Sequence, residues 1–267
     1  MESLNLTVIL PTLNEADNLN ILIPEIQQTF KSINLINYQI LVVDDGSEDN
    51  THEVIENLNK QDSKINIISR KSPRSLPDSI WDGIDNSVHE YVMWLDADGS
   101  MTALAIKDIL LKLQEDKNAV VIGSRFVNGG GYKGVLDIEK TSFFTAIKNV
   151  RKSNDSVLGM MVSIIFNKLL NYIFPYEIKD ITSGFIVGNK KYFNKESFDR
   201  ASYGDYFLFV VNDLAKKNIK MIEVGYICET RISGESKTAS SIIQLIKRGI
   251  PYIKGAIIAR KEINENI

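Results

Sequence analysis

The sequence predicts an α/β fold built on a mostly parallel sheet. Three observations carry that prediction. Short Val- and Ile-rich runs, reading as buried strands, alternate with amphipathic segments through the first half of the chain. That alternation is the pattern of strands joined by right-handed helical crossovers. Polar turns that together carry five acids and an arginine follow four of the runs, and in such sheets ligands bind beyond the C-terminal strand ends.

In order, the strands are expected at 6–10, 39–43, 65–68, 91–95 and 119–122, with helices between them at 16–33, 50–61, 76–88 and 103–114. After the first strand comes Pro11-Thr12-Leu13-Asn14-Glu15, in which Asn14 suits a helix cap and Glu15 suits either the helix dipole or ribose hydroxyls. Asp44-Asp45-Gly46-Ser47 follows the second, Asp96-Ala97-Asp98 the fourth, and Gly123-Ser124-Arg125 the fifth. The second half is less regular. Gly129-Gly130-Gly131 marks a flexible loop. A strongly apolar helix is expected over 157–174, a turn at 180–185 leading into an apolar run, a helix over 206–215, a strand over 221–227 and a last helix over 240–263, interrupted by Gly249 and Pro251.

Composition excludes several function classes. The 31 basic and 34 acidic residues give a net charge of −3, so no global basic field for nucleic acid exists. One cysteine, Cys228, and two histidines, His52 and His89, exclude a disulfide framework and a Cys- or His-rich metal centre. No secretory signal is read at the start, and no run of about 18 apolar residues reads as a membrane span. The glycine triplet lacks the Gly-Lys-Ser/Thr of a phosphate-binding loop, no Gly-x-Ser-x-Gly elbow occurs, and Pro11 to Glu15 is not a dinucleotide-binding Gly-x-Gly-x-x-Gly.

The chemistry-bearing residues lie at the strand ends. Asp96 and Asp98, two apart beyond a strand, point the same way by the period of two and offer hard oxygen ligands to Mg²⁺ or Mn²⁺; a solvated, helix-capping turn is the plainer alternative. Asp45 suits a base or ribose edge, or simply a turn. Arg125, at the end of a buried strand, needs a partner: a nearby aspartate or a bound phosphate. Arg231 and Lys237, in a polar loop, could fold over a pyrophosphate or stay exposed. From 231 to 261 there are seven basic residues and one acid, and from 140 to 171 five basic residues and one acid, both beside long apolar faces. Basic amphipathic helices of this kind suit an anionic membrane surface.

These motifs, in this order and spacing, resemble the family-2 inverting glycosyltransferases with the A-type fold, and in particular the dolichyl-phosphate mannose synthases and related polyprenyl-phosphate glycosyltransferases. The likeness runs over about residues 6 to 260 and rests on the four strand-end motifs, the glycine triplet, Arg151-Lys152, Asp180 to Phe185 and Arg231 to Lys237. It implies a nucleotide-diphospho-sugar transferase sheet over 1–239 and an amphipathic helical segment over 240–267, packed on that sheet or on the membrane. It further implies that Pro11, Leu13, Glu15, Val43 and Asp45 meet the nucleoside. Asp96, Ala97 and Asp98, with Ser100, would hold donor and metal. Arg125 and Arg151 would take the acceptor phosphate, and Arg231 and Lys237 the diphosphate. Leu13 stands where these synthases often carry tyrosine, and Ser100 where they often carry glutamine.

The implied reaction is metal-dependent, inverting transfer of one hexose, mannose favoured, to a dolichyl or polyprenyl phosphate on the cytoplasmic face of a membrane, with Asp98 and Arg125 at its centre. Gln244 is not followed by the Arg-Trp of processive synthases, in keeping with a single transfer. Two other readings stand beside it. One is transfer to a protein or soluble-glycan hydroxyl, with Asp180 or Asp205 as the base such an acceptor requires. The other is a non-catalytic membrane-surface module.

Overall fold

A computed structural model describes residues 4–132, 135–136, 157–174, 176–229 and 242–264. Its main sheet has seven strands. They are β1 (Leu6–Thr12), β2 (Tyr38–Asp44), β3 (Ile65–Ser69), β4 (Tyr91–Trp94), β5 (Val120–Ser124), β8 (Ile186–Asn189) and β9 (Met221–Gly225), in the spatial order β3-β2-β1-β4-β8-β5-β9. A small second sheet holds β6 (Gly131–Tyr132) between β7 (Val135–Leu136) and β10 (Ile227–Cys228). The helices are α1 (Ala16–Ser32), α2 (Thr51–Gln61), α3 (Leu76–Asp85), α4 (Ala103–Glu115), α5 (Val157–Ile173), α6 (Lys195–Asp199), α7 (Tyr206–Lys216) and α8 (Ile242–Asn264).

The strands form because apolar side chains on both faces find a helix layer, and the period of two sorts them. Val8 and Leu10 of β1 enter one core with Leu22, Ile26 and Phe30 of α1, Ile55 of α2 and Ile109 of α4. Ile9 enters the other with Ile80 and Ile84 of α3 and Phe207, Leu208 and Val211 of α7. Each such side chain, fully buried, contributes about 1.5–3 kcal/mol before entropy is charged against it. Helix starts are set by side-chain caps where the sequence provides them: Ser75 Oγ accepts from Asp78 N and Thr102 Oγ1 from Ala105 N, both at 3.3 Å.

Strand β8 departs from the parallel pattern. It runs antiparallel to both neighbours, with Ile186 opposite Trp94 of β4 and Ile122 of β5. The N-terminal end of an antiparallel strand lies level with the C-terminal ends of its neighbours, so the 180–185 turn arrives on the same edge as the acidic loops. A four-residue strand such as Ile186-Val187-Gly188-Asn189 carries no mark of direction, which is why the reversal is not readable in advance. Four local expectations also shift. Helix α3 ends at Asp85, leaving Val88 exposed, and α8 runs on through Gly249 and Pro251. The glycine triplet is packed: Gly130 and Gly131 are buried, a Cβ at Gly130 would crowd the Arg125 main chain, and one at Gly225 would strike this loop. Asn14 is no helix cap but a left-handed residue with φ 57°.

Helix α8 lies against α5 and α7. Ala256 and Ala259 are buried in the second core, Phe166 and Tyr252 meet edge to face at 5.8 Å, and Arg260 Nη1 donates to the Ile173 carbonyl at 3.0 Å. No helix among the described residues is long and apolar enough to cross a membrane.

Candidate active site

Loop geometry at the C-terminal edge begins with β1 and β2. The amide of Asp45 donates to the Thr12 carbonyl at 2.9 Å. The left-handed Asn14 stitches the two loops: its amide donates to Ser47 Oγ at 2.8 Å, and its side-chain oxygen accepts from Glu48 N at 2.7 Å. Ala16 N, at the open start of α1, donates to Asp49 Oδ2 at 3.1 Å. The adjacent aspartates divide their work. Asp44 faces inward, accepting from Ser47 N and Oγ with His52 Nε2 at 3.0 Å from its Oδ2. Asp45 faces the β3–α3 loop, where it accepts from Ser75 N at 2.6 Å and pairs with Arg70. Pro11, Leu13 and Glu15 are half-buried beside it, with Asn18 Nδ2 donating to Glu15. Val43 is fully buried, so a ligand could meet only its main chain.

Arg70 joins the candidate site although it stands in none of the strand-end motifs. Its amide donates to the Asp44 carbonyl, its Nε to Asp82 Oδ2 at 2.7 Å, and its guanidinium gathers Asp45, Asp78 and Asp82 with the side chain only 3% exposed. The signal was present: an arginine directly after the third strand run.

Beyond β4, Asp96 is exposed, Ala97 buried and Asp98 buried. Gly99 turns the chain with φ 77°, and Ser100 N donates to Asp98 Oδ1 at 2.9 Å. The far side of this loop is clamped: Met101 bridges Cys228, and Glu229 N donates to the Ser100 carbonyl at 2.9 Å. Among the described residues no group of three or more His, Cys, Asp or Glu side chains could hold a metal ion. Two carboxylates and a serine, all oxygen donors, nevertheless fit a hard divalent ion of the kind that takes one or two carboxylates and completes its shell with substrate phosphates and water.

At the end of β5, Arg125 meets the turn delivered by β8. Its Nε donates to Asp180 Oδ2 and its Nη2 to Asp180 Oδ1, both at 2.7 Å, and Nη2 also donates to Thr182 Oγ1 at 2.8 Å. Glu223 of β9, another residue unforeseen, pins that turn by accepting from the amides of Lys179 and Asp180, both at 2.9 Å. Gly184 turns with φ 69° and lies against the Tyr206 hydroxyl. Three phenols border this region. Tyr206 accepts from Trp94 Nε1 at 3.1 Å, Tyr252 arrives from α8, and Tyr226 follows β9. Burial pushes the pKa of all three above the ordinary range, and the negative charge of Asp96 adds to each shift. Asp205, half of the alternative base pair, is buried and accepts from Tyr203 N at 2.7 Å. Arg151, Arg231 and Lys237 lie outside the described residues.

A dolichol-phosphate mannosyltransferase of Pyrococcus furiosus is 27% identical over 241 residues, 90% of this chain but 61% of that protein, so this chain spans about three-fifths of that relative's length. A dolichyl-phosphate beta-glucosyltransferase of Trichomonas vaginalis is 21% identical over 255 residues, covering 90% of this chain and 70% of that protein. Among solved structures, mannosyl-3-phosphoglycerate synthase from Rubrobacter xylanophilus matches with a TM-score of 0.60 at 16% identity, over 95% of this chain and 73% of that one. Glucosyl-3-phosphoglycerate synthase from Mycobacterium tuberculosis, in complex with Mn²⁺ and UDP-glucose, matches with a TM-score of 0.61 at 13% identity, over 97% and 80%. At such identities the likeness concerns the fold, the same mostly parallel sheet with helices on both faces. The family model for glycosyl transferase family 2 matches residues 7–196, and with more than half its length inside that match the chain belongs to this family and is a glycosyltransferase.

Proposed function

We propose that the chain transfers a single hexose, mannose favoured, from a nucleotide diphosphate sugar to a polyprenyl or dolichyl phosphate, as a peripheral protein on the cytoplasmic face of a membrane. The observation that carries this reading is the meeting of opposite charges on one sheet edge: Asp45, Asp96 and Asp98 at the ends of β2 and β4, and Arg125 at the end of β5. The two relatives named for transfer to dolichyl phosphate support it.

On this reading Pro11, Leu13, Glu15, Val43 and Asp45 receive the nucleoside, and Ala97 leaves room beside the sugar. Asp96 and Asp98, with Ser100, would hold Mg²⁺ or Mn²⁺, which when bound offsets the negative charge of a departing diphosphate. Arg231 and Lys237 would add positive charge on the same group. The acceptor is its own nucleophile: a phosphate monoester, with a second pKa of about 6, is largely ionised at neutral pH. It needs aim more than a base, and Arg125, with Arg151, would supply the aim by gripping its oxygens. In-line attack at the anomeric carbon then inverts it. A hydroxyl acceptor would need a carboxylate base instead. Asp180 is engaged by Arg125, and Asp205 by the amides of Ser202 and Tyr203, which favours the phosphate acceptor.

For the membrane, residues 1–239 form the catalytic part and 240–267 a helical segment that, with α5, presents an apolar face. Ile165, Leu169 and Tyr172 of α5 and Ile250, Ile257 and Ile258 of α8 are exposed, among the exposed cations Lys168, Lys254, Arg260 and Lys261. The test is incubation of the protein with radiolabelled nucleotide sugars and either polyprenyl phosphate or soluble glycan acceptors. Label in the lipid fraction, dependent on Mg²⁺ or Mn²⁺, is expected; label only in soluble acceptors would overturn the assignment.

A further inference from the structure

One buried polar atom near the Arg125 turn has no partner among the described residues. Tyr226 follows β9, where its amide donates to the Ser124 carbonyl at 3.0 Å and its carbonyl accepts from Gly131 N at 3.0 Å, so its backbone is fixed between the end of β5 and the glycine loop. The ring is 3% exposed and meets Phe185 edge to face at 5.4 Å. Its hydroxyl is buried and makes no hydrogen bond among the described residues. Three loops converge there: the Arg125 turn, the Asp180 turn through Phe185, and the Asp96–Asp98 loop through the Met101–Cys228 bridge two residues on. The charges of Arg125, Asp180 and Asp96 lie close enough to act on the hydroxyl. An unmatched buried hydroxyl is destabilising, and phenylalanine would fill the same space without that cost. A buried donor unpaired among the described residues, near the arginine proposed to hold the acceptor phosphate, is accounted for by a ligand that supplies the acceptor.

We propose that Tyr226 Oη donates a hydrogen bond to the acceptor phosphate held by Arg125, making Tyr226 a binding residue for the acceptor. This rests on the reading of the acceptor as a lipid phosphate. Because burial pushes its pKa up, the phenol stays protonated and remains a donor throughout the neutral range. The bond crosses no titration and adds nothing to the pH profile.

The experiment compares wild type with Tyr226→Phe, using farnesyl phosphate as a soluble polyprenyl phosphate and the preferred sugar nucleotide as donor. Acceptor KM is expected to rise about tenfold, donor KM to stay within twofold, and the thermal midpoint to hold or rise, since the variant loses only an unsatisfied hydroxyl. An unchanged acceptor KM in the variant, with the wild type active, overturns the role of Tyr226 alone. An equal rise in donor KM moves the hydroxyl to the diphosphate and overturns it too. Failure of the wild type to transfer to farnesyl phosphate or to a longer polyprenyl phosphate overturns the lipid-phosphate reading, and this inference with it.

Discussion

Arg125 and Asp180 form a two-pronged ion pair, Nε to Oδ2 and Nη2 to Oδ1, both at 2.7 Å, with the arginine side chain 12% exposed and the aspartate not exposed at all. Burial works against the arginine's charge, and the Asp180 carboxylate more than restores it, leaving the guanidinium pKa well above its usual value. The pair joins β5 to the turn before β8 and fixes the direction of the fork. Asp180→Ala would leave that charge under-matched and should cost about 3 kcal/mol, read as a lower urea midpoint. Arg125→Ala should lose transfer to polyprenyl phosphate. Arg125→Lys should not restore it, because an ammonium cannot reproduce the fork. A stability loss in Asp180→Ala below about 1 kcal/mol, smaller than the net worth of one ordinary hydrogen bond, would show that the pair does not anchor the turn.

For Asp98 the charge can be removed while the shape is kept. It is buried and accepts from Ser100 N at 2.9 Å. Asp98→Asn keeps that acceptor and removes the charge. We expect kcat to fall at least about a hundredfold, the size of losing one strong electrostatic group at a reacting phosphate, with an unchanged circular dichroism spectrum. Metal-stimulated turnover at the wild-type rate would rule out this carboxylate as a ligand.

Arg70 makes the opposite prediction, since it joins the Asp45 loop to the start of α3. Its one guanidinium serves Asp45, Asp78 and Asp82, and Asp78 and Asp82 are nearly half exposed, so solvent screens much of their share. Arg70→Met should lose about 2 kcal/mol, mostly through the buried Asp45 contact, and raise donor KM while leaving acceptor KM alone. A shift confined to acceptor KM would place Arg70's influence elsewhere.

The legible and illegible parts of this molecule divide along a physical line. Strands β1, β2 and β5 could be read because uniform burial demands Val and Ile, and the acidic loops because a parallel sheet presents those ends to ligands. The direction of β8 could not: Ile186 to Asn189 would look the same in either sense, and only the pairing with Trp94 and Ile122 settles it. Asn14 was misread for a related reason. A short polar side chain before a helix suits a cap, yet here the left-handed backbone turns it toward Ser47 and Glu48, a partner loop 33 residues away. Arg70 and Glu223 escaped because their partners are brought to them by tertiary structure.

The apolar face of α5 and α8 predicts binding to vesicles. Ile165, Leu169 and Tyr172 lie at spacings of four and three on one stripe and are 62%, 45% and 84% exposed. Each side chain entering the interface would contribute up to about 1–2 kcal/mol, and nearby lysines about 1 kcal/mol each on an anionic surface. The triple replacement Ile165→Ser, Leu169→Ser, Tyr172→Ser should cut sedimentation with phosphatidylserine-containing vesicles at least about tenfold and leave transfer to farnesyl phosphate intact. Salt should weaken the wild type's binding. Equal sedimentation of variant and wild type would exclude this face as the contact.

Attachment of α8 to the rest of the chain carries a pH signature. Glu262 accepts from Lys216 Nζ at 2.5 Å, Asn212 Nδ2 at 2.8 Å and Arg200 Nη1 at 3.1 Å, so three residues of α7 and the segment before it hold the end of the helix. Burial acts to raise the Glu262 pKa, but the hydrogen bonds from Lys216 and Asn212, with the charges of Lys216 and Arg200, outweigh it and leave the carboxyl below its usual value. A depressed carboxyl pKa stabilises the folded state above the unfolded pKa of about 4.3, and that contribution is lost as pH falls through the folded value. With the partners a quarter to a third exposed, the contribution is about 1 kcal/mol or less after screening. Glu262→Gln should therefore lower the urea midpoint at pH 7 and converge with the wild type as both are acidified below about pH 4. A constant gap between the two proteins down to that pH would mean that packing at Ala256 and Ala259, rather than this carboxylate, holds α8 in place.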